Sequence, residues 1–385
     1  MDFALNDEQQ MLQESARRFF SERHPISRAR QALQWTDESQ RALWHDMAAM
    51  GWLGLLAPEE HGGLALGMCE AYLVAEAAGR QLLNLPLAAS AVLMPLLLQE
   101  STQRDCRLAT WVENVAAGRS AFDVTFDGML YMDHAHQCSD QIMVHGLFAQ
   151  DVNVRFALLP SNDKAVMPAA AESTALDPTL RCASMTSSST PGYDGASLAW
   201  HVLQISAEGR AHAVACYRMA RVGELLGAAA ASLDVACEYA RQREQFDKAI
   251  GSYQAIKHQL ANAWMALDNA RLAALYAAAS LDGKQSDWRF ACAAAELTAI
   301  EGAQLVTRNT IQVHGGLGFT WEHDAHLYLK RVHHVSSRLG GADAAYACIE
   351  SLYLSPELGD DSKLEVRTGC FPAGPSGVEG VQVKK

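Results

Sequence analysis

Apolar side chains recur every three to four positions through the first hundred residues, as at Leu12, Ala16, Phe19 and Phe20. That is the spacing of helices with one face turned inward. The same period predicts helices over residues 40–50 and 69–79, with Pro58, Gly62 and Gly63 marking the loop between them. Residues 1–118 thus form a helical domain. From 119 to 207 the pattern shortens to the runs AFDVTF, QIMVHGLF, VRFALLP and LAWHVLQI, separated by Gly, Pro, Asp and Ser. These predict the strands of a small, reduced β domain, and the Ser/Thr run at 184–195 predicts a loop within it. Helical spacing returns at 208, with an Ala-rich segment to 243, then 253–281, then 287–314. After GGLGF at 315–319 a last helical stretch runs to 354. Residues 355–385, rich in Gly, Pro and Val without a period, predict a flexible tail whose composition resembles vector read-through. Helices, then strands, then helices exclude alternating βαβ units and predict a mostly α fold with a small β domain.

A chain of 385 residues exceeds what one core comfortably fills, in keeping with several domains. The net charge of −13 offers no broad positive field to nucleic acid or anionic membranes, so any phosphate site must be local. The most apolar run, 82–98, is interrupted by Pro86 and Pro95 and is too short to span a bilayer, so no membrane insertion is expected. Nine cysteines at irregular spacing without a CxxC pair predict reduced thiols and a cytoplasmic protein. The opening segment, MDFALNDEQQMLQESARRFF, has the mixed charge of an amphipathic helix, not the pattern of a secretion signal.

Two segments carry candidate chemistry. One is REQF at 243–246, followed by Ile250, Tyr253, Gln254 and KHQLA at 257–261; the other is QVHGGLGFT at 312–320. Arg243 falls where a helix gives way to a loop, a place for bidentate phosphate contact or for a surface ion pair. Gly315 and Gly316 admit a close backbone approach to an anion, or serve as a helix cap. EHD at 322–324 with His326 has metal-ligating residue types without a ligand spacing, and no metal is expected there.

Taken together the two segments resemble the C-terminal domain of the acyl-CoA dehydrogenase family, in which R-x-Q-F-G-x-P-I-x-x-F-Q and Q-x-x-G-G-x-G-F meet FAD. The N-terminal LWHDMAAMGWLGLLAPEEHGGLALGMCEAYLVAEAAGR is similar to that family's opening helices and Pro-Glu-x-x-Gly-Gly turn. The resemblance implies an N-terminal helical domain, a middle β domain and a C-terminal four-helix bundle at 208–354. It also implies FAD as cofactor and an acyl-CoA substrate, with electrons passed to an electron-transferring flavoprotein. In the family these segments contact the FAD of a neighbouring subunit, which implies cofactor roles for Arg243, Phe246, Gln254, Gln312, Gly315 and Gly316. The chain departs from the pattern at Asp247 and Ala249, where the family has Gly and Pro.

α,β-Dehydrogenation needs a carboxylate to take the α proton. Counting from the GlyGly pair, the family's Glu falls on Leu339, and an alternative position on the helix before REQF falls on Tyr217. Glu224, two turns from Tyr217, is a weak substitute. The family's Thr-Glu-Pro-x-x-Gly-Ser-Asp segment, which holds the flavin ring, is absent between 118 and 127. The chain resembles the non-catalytic subunit of heterotetrameric members acting on steroid side chains, which share one FAD site per pair of related subunits. A self-sufficient homotetramer using Glu224 or another, unassigned acid and a scaffold without flavin are the alternatives.

Overall fold

The computed structural model describes residues 5–103, 105–126, 131–135, 137–145, 147, 153–159, 175–184 and 200–354. The expected tail at 355–385 and most of the 184–195 loop lie outside the described residues.

The N-terminal helices are α1 (Asp7–Arg23), the single turn α2 (Ile26–Ala29), α3 (Glu38–Ala49), α4 (Met68–Arg80), α5 (Met94–Gln99) and α6 (Cys106–Ala116). Local chemistry fixes their starts. Asn6 and Gln9 exchange side-chain and backbone hydrogen bonds in a capping box at α1, and Asp105 accepts from the backbone N–H groups of Arg107 and Leu108 at α6. A π-helical stretch, Ala88–Leu93, runs directly into α5, so Pro95 falls inside one helical run, where its missing N–H coincides with the change from π to α winding. The apolar run that contains both is buried beneath the β domain and α7.

The expected strands all form. β1 (Phe122–Phe126), β3 (Asp140–His145), β4 (Asn153–Leu159) and β6 (His201–Gln204) make one sheet in the order β1-β3-β4-β6. β1 and β3 run parallel and the other neighbours antiparallel. β2 (Tyr131–Met132) pairs with β5 (Ala183–Ser184). Phe122, Val124, Ile142, Val144, Val154, Phe156 and Leu203 are buried, the alternation of a sheet with one face on a core. Trp111 of α6 covers that face, its ring 5.7 Å from Phe122 and 5.5 Å from Phe156.

The C-terminal helices are α7 (Ala207–Gln242), α8 (Gln254–Asp282), α9 (Trp288–His314), α10 (Ala325–Arg338) and α11 (Gly341–Leu354), with a hairpin of β7 (Glu244–Gln245) and β8 (Lys248–Ala249) between the first two. The last helical stretch is therefore two helices, not one: Gly340 and Gly341 adopt φ of 92° and 74°, which end α10 and redirect the chain. α7 is the central element, packed against α4, α8, α9 and α10, and its Ala-rich sequence is buried on nearly every side. Bonds from Arg218 to Glu296 and from Ser232 to Thr310 run α7 and α9 parallel, with α8 antiparallel between them. The end of α7, the start of α8 and the end of α9 therefore lie together.

α4 and α7 touch backbone to backbone. A Cβ at Gly79 would lie 2.2 Å from the carbonyl oxygen of Glu224, and one at Gly227 would lie 2.0 Å from that of Glu76. No space remains for a ligand between these helices at that level.

Candidate functional site

The six residues expected to reach a cofactor share the end of the bundle where α7, α8 and α9 converge. A small cluster of Ala236, Ala240 and Val313, with Tyr239, Ile250, Ile256 and Leu260 packed on it, holds the three ends together. Tyr239 of α7 stacks on His314 of α9 with ring centroids 4.3 Å apart, and His323 lies 4.3 Å beyond. His314 Nδ1 donates to the Thr310 carbonyl at 2.7 Å, which sets its tautomer. Burial holds the His314 and His323 imidazoles below their ordinary value, so both are neutral at physiological pH and stack without repulsion. This stack was not foreseen from the sequence, because its members are 75 residues apart at the α7–α9 contact.

Arg243 is the C-cap of α7 and is exposed, and its carbonyl accepts from Ile250 N–H at 2.8 Å, closing the base of the β7–β8 hairpin. Among the described residues its guanidinium has neither an ion pair nor a hydrogen bond. Phe246 stands at the hairpin tip, 87% exposed. Phe246 and Asp247 have φ of 56° and 64°, the two positive values of a type I′ turn. Asp tolerates that region, so Asp247 in place of Gly preserves the turn. Gln254 opens α8 and Gln312 lies in the last turn of α9, both exposed. Gly315 ends α9 with φ 60° and ψ −137°, a conformation open to glycine, and a Cβ at Gly315 or Gly316 would meet nothing within 4 Å. Open backbone, an unpaired guanidinium and two exposed amides at one end form a donor set that fits a pyrophosphate and nucleoside.

The interior is the opposite. Leu339, where the family's base would fall, is the buried C-cap of α10, and its carbonyl accepts from Arg218, itself paired with Glu296. Tyr217 is half-buried, and burial pushes its hydroxyl up to about 12, far from a base at neutral pH. Glu224 is not a surface carboxylate: it is ion-paired with Arg221 at 3.1 Å and with the fully buried Arg331 at 3.0 Å. Arg331 also pairs with Asp177, while Asp133 takes Arg221, Arg338 and His334. Three guanidiniums and three carboxylates thus close a network between α7, α10 and the β domain. Beside it a cavity of about 20 Å³, walled by Ala75, Leu85, Ala220 and the Arg221–Glu224 pair, has room for water but not for an acyl chain. On the β1 side, Asp123 accepts from the N–H groups of Val124 and His134, and Phe122 N–H donates to Ser90, so this segment is spent on internal bonds.

Asp133, Cys182 and His334 are three donor side chains within 4.8 Å of one another. The two guanidiniums on Asp133 oppose a cation there, and burial pushes the Cys182 thiol up to about 12. The EHD segment is likewise structural: His323 Nδ1 accepts from Ala325 N–H, and Asp324 binds Arg30.

A model of the acyl-CoA dehydrogenase C-terminal domain matches residues 208–345, and one of the N-terminal domain matches residues 6–119. The chain belongs to the acyl-CoA dehydrogenase family, flavoprotein oxidoreductases that use FAD. Among curated relatives, acyl-CoA dehydrogenase FadE34 of Mycobacterium tuberculosis is 31% identical over 79% of this chain, and acyl-CoA dehydrogenase IpdE2 of the same organism is 29% identical over 85%. The chain spans 41% of the length of FadE34 and 91% of that of IpdE2. Among solved structures, the ChsE4-ChsE5 complex from Mycobacterium tuberculosis has a TM-score of 0.73 at 21% identity, covering 92% of this chain and 99% of that one. The Tcur3481-Tcur3483 steroid ACAD has a TM-score of 0.72 at 20% identity, covering 90% and 98%. The likeness to these structures establishes the fold. Among the described residues no helix is long and apolar enough to cross a membrane.

Proposed function

We propose that this chain is the cofactor-completing subunit of a two-subunit acyl-CoA dehydrogenase. It contributes Arg243, Phe246, Gln254, Gln312, Gly315 and Gly316 to the adenosine and pyrophosphate side of an FAD site shared with a related subunit, which supplies the catalytic base and the acyl-CoA pocket. The observation that carries this reading is the contrast between the C-terminal end of α7 and its middle. The C-terminal end presents unpaired donors to solvent, while the stretch where a base and substrate would sit is filled by a balanced ion network. When bound, FAD supplies the acceptor for the hydride that leaves the β carbon of the thioester. Arg243 would hold the pyrophosphate by paired N–H donors, and the backbone at 315 and 316 would approach it without steric hindrance. A steroid-derived acyl thioester is the substrate class suggested by the solved neighbour named as a steroid ACAD.

A self-sufficient enzyme would need Glu224 or another, unassigned acid as base; two guanidiniums hold the Glu224 carboxylate, and abstracting a proton with it would mean breaking both contacts. A scaffold without flavin would leave the exposed, unpaired arginine and the open GlyGly backbone without a use.

The test is flavin content per chain, by absorbance, for the protein alone and co-expressed with a related acyl-CoA dehydrogenase subunit. The expected result is no flavin alone and one FAD per pair of chains in the complex, falling sharply in Arg243→Ala. A full complement of flavin in the isolated chain, or an Arg243→Ala complex with unchanged flavin, would refute the shared site.

A further inference from the structure

Where α1, α4 and α8 meet, the charges do not cancel. Glu76, buried in α4, accepts from Arg271 of α8, and Arg17 of α1 lies 3.7 Å from the same oxygen. Arg80 and Asp234 pair beside them. Three guanidiniums thus face two carboxylates, a local positive surplus in a chain of net charge −13. Among the described residues, three buried donors at this junction have no acceptor: Nε of Arg17, Nε of Arg271 and the hydroxyl of Tyr72. Tyr72, 1% exposed, lies one turn before Glu76 on α4, and its hydroxyl feels the charges of Glu76, Arg271 and Arg17. Buried polar groups are normally paired, and beside an uncancelled positive charge an anion is a better acceptor for three such donors than water.

The two arginines differ in a way that fits this. Burial, with repulsion from Arg80 and Arg271, holds the Arg17 guanidinium below its ordinary value despite Glu76. Burial lowers the Arg271 guanidinium, but Glu76, through its charge and its hydrogen bond, together with Tyr72 and Asp234 outweighs burial and holds it above its ordinary value. Glu76 is therefore matched by Arg271, and the charge of Arg17 is left over. The three donor atoms are themselves enclosed, and the Arg17 side chain, 40% exposed, is the group that moves to admit a small solute to them.

We propose that the junction binds a small oxyanion, phosphate or carboxylate, held by Arg17, Arg271 and Tyr72. Two guanidinium N–H groups and a phenol O–H match the acceptor oxygens of such an ion. The site is separate from the cofactor end: Arg271 lies 17 residues along α8 from Gln254, about 25 Å at helical rise. Occupied, it ties α1 to α4 and α8 through the anion.

The experiment is thermal unfolding of the full chain in sodium phosphate and in sodium acetate titrations, at constant ionic strength set with sodium chloride. The expected result is a saturable rise in Tm of several degrees with one or both anions, the responding anion naming the ligand class. Tyr72→Phe, which removes one oxygen and leaves the packing, and Arg17→Gln each abolish that rise, while Arg41→Gln, an exposed arginine of α3, keeps it. No rise with either anion overturns the proposal and leaves the three donors to water alone. A rise that persists in both Tyr72→Phe and Arg17→Gln places the ion elsewhere and overturns it equally.

Discussion

Arg331 is the keystone of the interior ion network, and its removal gives a prediction with both a size and a pH signature. The side chain is fully buried, and its five N–H donors meet five acceptors: Asp177, Glu224 at 3.0 Å, the Leu83 carbonyl at 2.9 Å, the Leu82 carbonyl at 3.4 Å and Thr179 Oγ1 at 2.7 Å. Arg331→Met keeps much of the volume but leaves two carbonyls and one buried carboxylate short of a partner. Glu224 keeps Arg221, and Asp177 keeps Thr179. Breaking one side of a buried charge pair costs about 3–5 kcal/mol, and that is the expected loss in urea denaturation followed by circular dichroism at pH 7. Adding Asp177→Asn removes the stranded charge, so the double variant recovers roughly 1–3 kcal/mol relative to the sum of the singles.

The pH dependence follows from Asp177. Burial alone would raise its carboxyl, but Arg331 and Thr179 outweigh burial and hold it below the usual carboxylate range. A depressed acid contributes stability that is present above its unfolded value and is lost as pH falls through its folded value, so in the native protein Asp177 is not a source of acid sensitivity between pH 7 and 5. In Arg331→Met the burial effect is left without its main opponent, and the folded value rises above the unfolded one. Protonation then relieves the stranded charge, and the gap between native protein and variant narrows as pH is lowered from 7 towards 5. A loss below about 1 kcal/mol at pH 7, or a gap that does not change with pH, would show that Arg331 is not the charge partner on which this region depends.

Phe246 carries a conformational cost at the hairpin tip: φ of 56° is unfavourable for a bulky L residue by about 1–2 kcal/mol, with little burial in return at 87% exposure. Phe246→Asn is expected to raise stability by about 1 kcal/mol in chemical denaturation while lowering flavin retention in the complex, and a destabilised variant would contradict the turn geometry. Glycines with different surroundings should behave differently. Gly227→Ala drives a Cβ to 2.0 Å from the Glu76 carbonyl oxygen and should destabilise by about 3 kcal/mol, whereas Gly316→Ala meets nothing and should leave stability within about 0.5 kcal/mol while reducing flavin content.

The helices were legible because their signals are local. Periodicity places α3, α4, α8 and α9 within one or two residues of their observed bounds, and the shift to short runs at 119 marks the β domain. The break between α10 and α11 was equally local, written in Gly340 and Gly341, but a continuous apolar period on either side concealed it. The candidate cofactor residues were legible only as a pattern of types. Their convergence depends on α7 and α9 running parallel, a tertiary fact. The ion network was beyond any local reading: Arg331 and Asp177 are 154 residues apart, and Arg338 and Asp133 are 205 apart. No periodicity or spacing rule predicts which distant charges neutralise one another in a core.

Leu339, at the position where we propose the family's base would fall, sits in a turn that holds the fold without a carboxylate. The backbone carbonyl at 339 binds Arg218, and the neighbouring Arg338 binds Asp133, so this turn is now a structural joint between α10, α7 and the β domain. A carboxylate restored at 339 would enter a site 2% exposed, beside a guanidinium already held by Glu296 in the bidentate geometry of a closed pair. Leu339→Glu alone would therefore bury an uncompensated charge without opening a path for a thioester, and a base confers no activity where substrate cannot approach it. In the function we propose, this chain completes a site that it does not enclose, and the exposed end of the α7–α8–α9 bundle carries the donors to do so.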